Sequence, residues 1–356
     1  MADENDGGVA LQGRLELREH VLALHGPVFA VLDGAQFDDL PMELMEAALT
    51  ARGLYRDRGP DGSLEYERTM PRMVALDGPV LGGEANLQGR EATLDRLLDV
   101  AENRPAVVFW ECPDGGDVLF RHLRSINMVL FPRDEVSAPH QRGDEGEAIQ
   151  GVEEAIDTQP SSEQASVAPH GFELVTFRHA DANVLAQVLP ALSHIQCDRF
   201  MGPCRSVIFL PRPDWQISGG RVEHYMGTAR YAFSRGALLI DQDSAQLIEE
   251  QTHLRWQRQI ATGSDHDSTP LSERESRVAD AFERGRSYGF AQREEFEWLA
   301  RSDLEHGAAF EQTPRFTEIA ETLTDPDLTA TQKVATAAND LMLLQDRPSR
   351  SSGASG

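Results

Sequence analysis

Val28-Phe-Ala-Val-Leu32 decides the fold class. Five apolar residues run without a polar break, where a strand with one wet face would alternate. Such a run predicts a strand buried on both faces. Ala106-Val-Val-Phe-Trp110 reads the same way. Working outward, Asp38 or Asp39 is placed to cap a helix with Pro41 in its first turn and Leu44, Met45, Ala48 and Leu49 on its apolar side. Residues 70–76 read as a strand that Pro71 confines to an edge or a start. Leu94, Leu97, Leu98 and Ala101 recur at helical spacing. Residues 117–125 predict a helix with Val118, Leu119, His122 and Leu123 along one side, followed by a strand at 126–131. Another strand is expected at 172–177, then a helix capped by Asp181 and running to Leu192, then strands at 206–210, 222–226 and 230–233. This alternation predicts an α/β fold with a mixed, partly parallel sheet and flanking helices. The strands at 126–131 and 172–177 are expected to pair as a hairpin.

The chain has 356 residues, with 59 Asp and Glu against 33 Lys and Arg, for a formal charge of −26. That length suits two domains, and 40% hydrophobic residues suffice for a real core. A field of this sign repels phosphate, which argues against nucleic acid and membrane as partners. The charge is uneven. Residues 134–171 hold nine acids and one base, whereas 172–240 hold five acids and seven bases. The first of these stretches has no aromatic residue and is expected to be a disordered acidic loop, with a short helix possible near 149–156. Residues 1–240 thus read as an α/β domain interrupted by that loop. Residues 241–346 read as an all-α lobe, with helices at 245–260, 273–288, 292–305 and 329–344 and a capping box at Ser272 with Glu275. Residues 347–356 read as a flexible tail. Lys333 is the one lysine, and it follows Gln332, so no phosphate-binding P-loop exists. The acidic start, the interrupted apolar stretch at 21–32 and three cysteines predict a cytoplasmic protein.

The familiar hydrolase, zinc-protease, dinucleotide and paired-cysteine motifs are absent. Some local constellations remain. His194, Cys197 and Cys204 are near enough to suggest metal ligands, but they are three with unusual spacing, and buried structural cysteine is the stronger reading. Asp33, Asp38 and Asp39 follow a buried strand, where carboxylates would serve a metal-dependent hydrolase; helix capping is the competing reading. His179 and Asp181, after Arg178, could form an acid–base pair or a local cap. Arg121, Arg124, Arg178 and Arg199 are suited to bidentate pairing with carboxylates of the fold or of a partner. In the helical lobe, Tyr288, Phe290, Trp298 and Phe310 are aromatic residues that would anchor a partner wherever they are exposed.

Several segments, taken in order, resemble one family. They are Val31-Leu-Asp-Gly-Ala35, Leu119-Phe-Arg-His-Leu-Arg124, Val175-Thr-Phe-Arg-His-Ala-Asp-Ala-Asn-Val-Leu185 continuing to Leu189-Pro-Ala-Leu192, and Arg199-Phe-Met-Gly-Pro203. Ser287-Tyr-Gly-Phe290 through Glu311, and Asp325-Pro-Asp-Leu328, extend the likeness. The set resembles the effector chaperones, or adaptors, of bacterial type VI secretion. His179-Ala180 stands where members usually carry an aromatic pair, and Met201 where they carry a second Phe. The resemblance implies a non-enzymatic protein with no cofactor and no metal. It implies two partners, a cognate secreted toxin and the trimeric spike protein of the apparatus. It marks Asp33, Arg121, Arg124, Arg178, Asp181, Phe200, Gly202 and Pro203 as motif positions with structural or partner-binding roles.

Overall fold

The computed structural model describes residues 3–55, 68–77, 89–102, 104–133, 169, 171–215, 221–229, 237–263 and 269–345. The expected acidic loop, apart from its last residues, lies outside them, as do the strand expected at 230–233 and the tail at 347–356. The chain divides into two compact units, Met1–Glu250 and Gln251–Gly356. The division falls inside the first helix of the expected helical lobe rather than at residue 240.

The strands are β1 (Val28–Leu32), β2 (Arg52–Gly53), β3 (Arg72–Ala75), β4 (Val107–Glu111), β5 (Met128–Pro132), β6 (Phe172–Thr176), β7 (Ser206–Phe209), β8 (Glu223–Met226) and β9 (Leu238–Leu239). Six form one sheet in the order β2-β3-β1-β4-β7-β8, and each of its pairings is antiparallel. A smaller sheet has the order β6-β5-β9, in which β5 pairs antiparallel with β6 and parallel with β9. The expected hairpin is therefore made, and the fold is mixed α/β. The parallel pairing sits in the small sheet. In the large one, β3 and β4 run the same way, but β1 lies between them, so a helical crossover has produced no parallel contact.

The apolar runs are explained by two cores, one on each face of the large sheet. Side chains alternate between faces along a strand. Phe29, Val31, Val108, Trp110, Val207 and Phe209 enter one core. Val28, Ala30, Leu32, Val107, Phe109 and Ile208 enter the other. Helices α1 (Asp3–Leu22), α2 (Leu40–Glu46) and α3 (Arg90–Ala101) cover the second face through Leu17, Val21, Leu40, Leu44, Leu94 and Leu97. Helices α4 (Gly116–Ser125), α5 (Ala182–Val188) and α6 (His194–Met201) cover the first through Leu119, Leu123, Leu185 and Phe200. Helix α1 was not among the sequence expectations. It is held to α3 by ion pairs as well as by its few apolar residues, with Arg18 at 2.7 Å from Asp95 and 2.5 Å from Glu91.

The helical elements that follow are α7 (Gln242–Thr262), α8 (Leu271–Ser287), α9 (Arg293–His306), α10 (Thr317–Thr324) and α11 (Ala330–Gln345). The core of the second unit is aromatic: Phe282 stacks on Phe296 with centroids 4.7 Å apart, and Phe290, Phe310 and Phe316 join them. Gly285 is required on α8 because a Cβ there would crowd Phe296 and Phe290 at about 3 Å. The capping box expected at Ser272 is not formed. Helix α8 begins two residues earlier, after Pro270, with no side-chain cap. A capping box is formed instead by Gln292 and Glu295 at the start of α9.

Inside this unit, Arg284 donates to Asp303 at 2.6 Å and to Glu311 at 2.7 Å, and both carboxylates are fully buried. Tyr288 donates its hydroxyl to Glu311 at 3.1 Å, and Lys333 donates to the Tyr288 carbonyl at 2.9 Å. Burial pushes the Tyr288 hydroxyl up to about 12 and the Asp303 carboxyl upward, with Arg284 opposing the latter. Replacing Arg284 by Met leaves two buried acids without their cation. We expect a loss of about 3–5 kcal/mol in unfolding free energy, read by denaturant titration of the full chain. A change below about 1 kcal/mol would mean that the network is not what holds these helices.

Candidate functional site

Three of the motif positions meet at the end of β1. Asp33 follows the strand and accepts from the Ala35 amide at 3.3 Å, which caps a short 3-10 turn. Asp181 caps α5, accepting from the amides of Asn183 at 2.9 Å and Val184 at 3.3 Å. Arg178 lies between the two acids. It donates to Asp33 and sits 3.3 Å from Asp181. Backbone bonds draw the same segments together: Asp33 N to Ala106 O and Ala182 N to Pro105 O, both 2.9 Å. Both carboxylates are buried, whereas Arg178 is half-exposed. Burial raises the Asp181 carboxyl above its ordinary range; Arg178 opposes this and the Asp33 charge adds to it.

Beside this knot runs a chain of rings. His179 is buried with Nε2 3.3 Å from the Tyr55 hydroxyl. Phe177 contacts His179 and Phe200, Phe200 contacts Trp110, and Trp110 contacts His122. His122 bonds through Nε2 to the Phe200 carbonyl at 2.7 Å. Gly202 ends α6 with φ of 51°, and a Cβ there would overlap the His122 ring. Glycine is therefore needed at this position twice, for backbone and for space. Pro203 is buried, and its carbonyl faces Cys112 Sγ at 4.0 Å. Desolvation pushes His122 down to about 4 and His179 down to about 3, so both rings are neutral at neutral pH.

The other expectations come apart in the fold. Asp39 caps α2 through the Met42 amide at 3.1 Å and lies 3.5 Å from Arg68. Asp38 is exposed, and Asp33 is engaged by Arg178, so the three acids do not share one task. His179 pairs with Tyr55 rather than with Asp181. His194 is exposed, Cys197 points its thiol at the carbonyls of Leu189 and Leu192, and Cys204 is buried. Among the described residues, no group of three or more His, Cys, Asp or Glu side chains is placed to hold a metal ion. Phe290 and Phe310 are corrected from partner anchors to core residues: each is buried where the lobe's own helices close. Tyr288 is tied to Glu311, and Trp298 packs edge-on against Phe310 at 6.3 Å. Arg121 and Arg124 are exposed on α4. Tyr55 and Trp110 are the members of the cluster that sequence reasoning missed. Trp110 is readable only as one more apolar strand residue, and nothing local marks Tyr55.

No family model, no curated protein and no solved structure matches this chain. Among the described residues, no helix is long and apolar enough to cross a membrane.

Two outcomes follow from this geometry. Arg178→Met should cost about 1–3 kcal/mol, less than a fully buried pair because Arg178 reaches solvent. An equilibrium unfolding curve superimposable on the parent's would show that Asp33 and Asp181 need no counter-charge. The histidines set a pH dependence. Both titrate lower in the fold than the ordinary 6.5, so the unfolded chain binds more protons between that value and the folded ones. Their contribution is complete above 6.5 and is lost as pH falls through that window. Stability should drop by on the order of a few kcal/mol between about pH 7 and pH 4. His179→Phe should make the decline shallower, and an unchanged slope would remove His179 from the account.

Proposed function

We propose that this chain is a cytoplasmic chaperone or adaptor that binds a cognate type VI secretion toxin and helps to load it onto the trimeric spike protein, and that it is not an enzyme. One observation carries the reading. The segments that resemble that family are far apart in sequence yet pack as two joined constellations. Asp33 of the first segment reaches Arg178, 145 residues away, and Arg178 also pairs with Asp181. His122 of the second reaches Phe200 and Gly202 of the fourth. Segments packed together in this way can act as one scaffold, which supports the reading.

The chemistry of the cluster supports the same reading. Each carboxylate caps a turn or helix or balances Arg178, and both imidazoles are buried and neutral. Such groups fix a shape. A protein whose work is recognition needs that rigidity.

Co-expression of the tagged chain with the neighbouring toxin and spike proteins tests this. The expected result is co-purification of the toxin, with toxin export lost when the chain is deleted. If the chain captures neither protein and export is unchanged, the proposal is wrong.

A further inference from the structure

In a chain of charge −26, helix α4 carries arginines on its exposed side. Arg124 lies one turn after Phe120, with its guanidinium carbon 5.5 Å from the ring centroid. Arg52, from β2, stands over the same ring at 3.6 Å. It shares its sheet face with Leu54, which packs in the core that α4 covers. The Phe120 ring is buried, and cations from two elements, Arg52 of β2 and Arg124 of α4, rest on it. A cation held on an aromatic face keeps its N–H forks pointed outward and loses little freedom when it binds. Arg52 is 40% exposed and its acidic neighbour Asp117, at 4.0 Å, is 67% exposed, so this contact is loose and solvated. Arg121 is exposed on the same helix.

We infer that the surface built by Arg52, Phe120 and Arg124 binds a short acidic segment of a protein partner. Guanidinium forks match carboxylates bidentately, and the ring beneath them holds the forks in place. The rest of the molecule selects for a short ligand. Screening confines the local attraction to roughly 8 Å at physiological salt. A long polyanion would extend past the patch into the field of a chain of charge −26, whereas a short carboxylate segment would not. The inference stands on these residues and does not depend on the adaptor reading.

Fluorescence anisotropy with the full chain tests it, using a labelled oligoglutamate peptide, an oligoglutamine control and a single-stranded DNA of matched charge. The glutamate peptide should bind, should weaken as salt rises, and should bind the R52Q/R124Q variant about tenfold less tightly. Phe120→Leu keeps both charges but removes the ring plane, so it should give an intermediate loss. Should the double variant fail to fold by circular dichroism, Arg124→Gln alone replaces it, with a smaller loss in the same direction. Equal binding of glutamate and glutamine peptides would overturn the inference. So would undiminished binding by the arginine variants, or tighter binding of the DNA.

Discussion

Everything in the first unit depends on the central strands β1, β4 and β7, which are buried on both faces. Each fully buried Val, Leu, Ile or Phe contributes about 1.5–3 kcal/mol relative to exposure, so β1 and β4 cannot leave either side to solvent. Helices must therefore arrive on both faces: α1, α2 and α3 cover one and α4, α5 and α6 the other. The cost of that arrangement is paid at the strand ends, where backbone groups would otherwise be buried without partners. Asp33 sits at the end of β1 and Asp181 at the start of α5, and Arg178 makes their burial tolerable. The ionic knot is thus a consequence of the double core.

That dependence explains what could be read from the sequence. Val28–Leu32 and the run ending at Trp110 announce strands covered on both sides, and the two cores receive them as expected. Leu94, Leu97, Leu98 and Ala101 announce the buried side of α3. Asp181 announces the start of α5, although Pro190 turns its end into a 3-10 segment before Leu192. Strand direction was not legible, because a helix between two strands says nothing about whether a third strand lies between them. Short edge strands such as β2 and β9 carry too few residues for any period to show. Helix α1 hides because ion pairs with α3 supply part of what an apolar stripe would otherwise have to provide.

The candidate site was legible in part, for the same reason. Charged residues that cap and pair do so locally, and Asp33, Arg178 and Asp181 stand out in the sequence. Their mutual contact spans 145 residues and is a property of the fold. Tyr55 and Trp110 were silent because a ring in a core looks the same in sequence whether it faces an imidazole or a leucine. In the helical unit the error ran the other way. Aromatic residues were expected to split between core and surface, and Phe290 and Phe310 are both inside, packed against Phe296 and Phe316.

Lys333 has an implication beyond its bond to Tyr288. It is the one lysine of the sequence and only 8% exposed. The folded chain therefore offers no accessible side-chain amine. Acetylation, ubiquitin conjugation and amine-directed cross-linking find no lysine target on its surface. Nearly all of its positive charge is arginine, which does not titrate in the biological range. The arginine charge is permanent, beyond the reach of both pH and the enzymes that edit lysine.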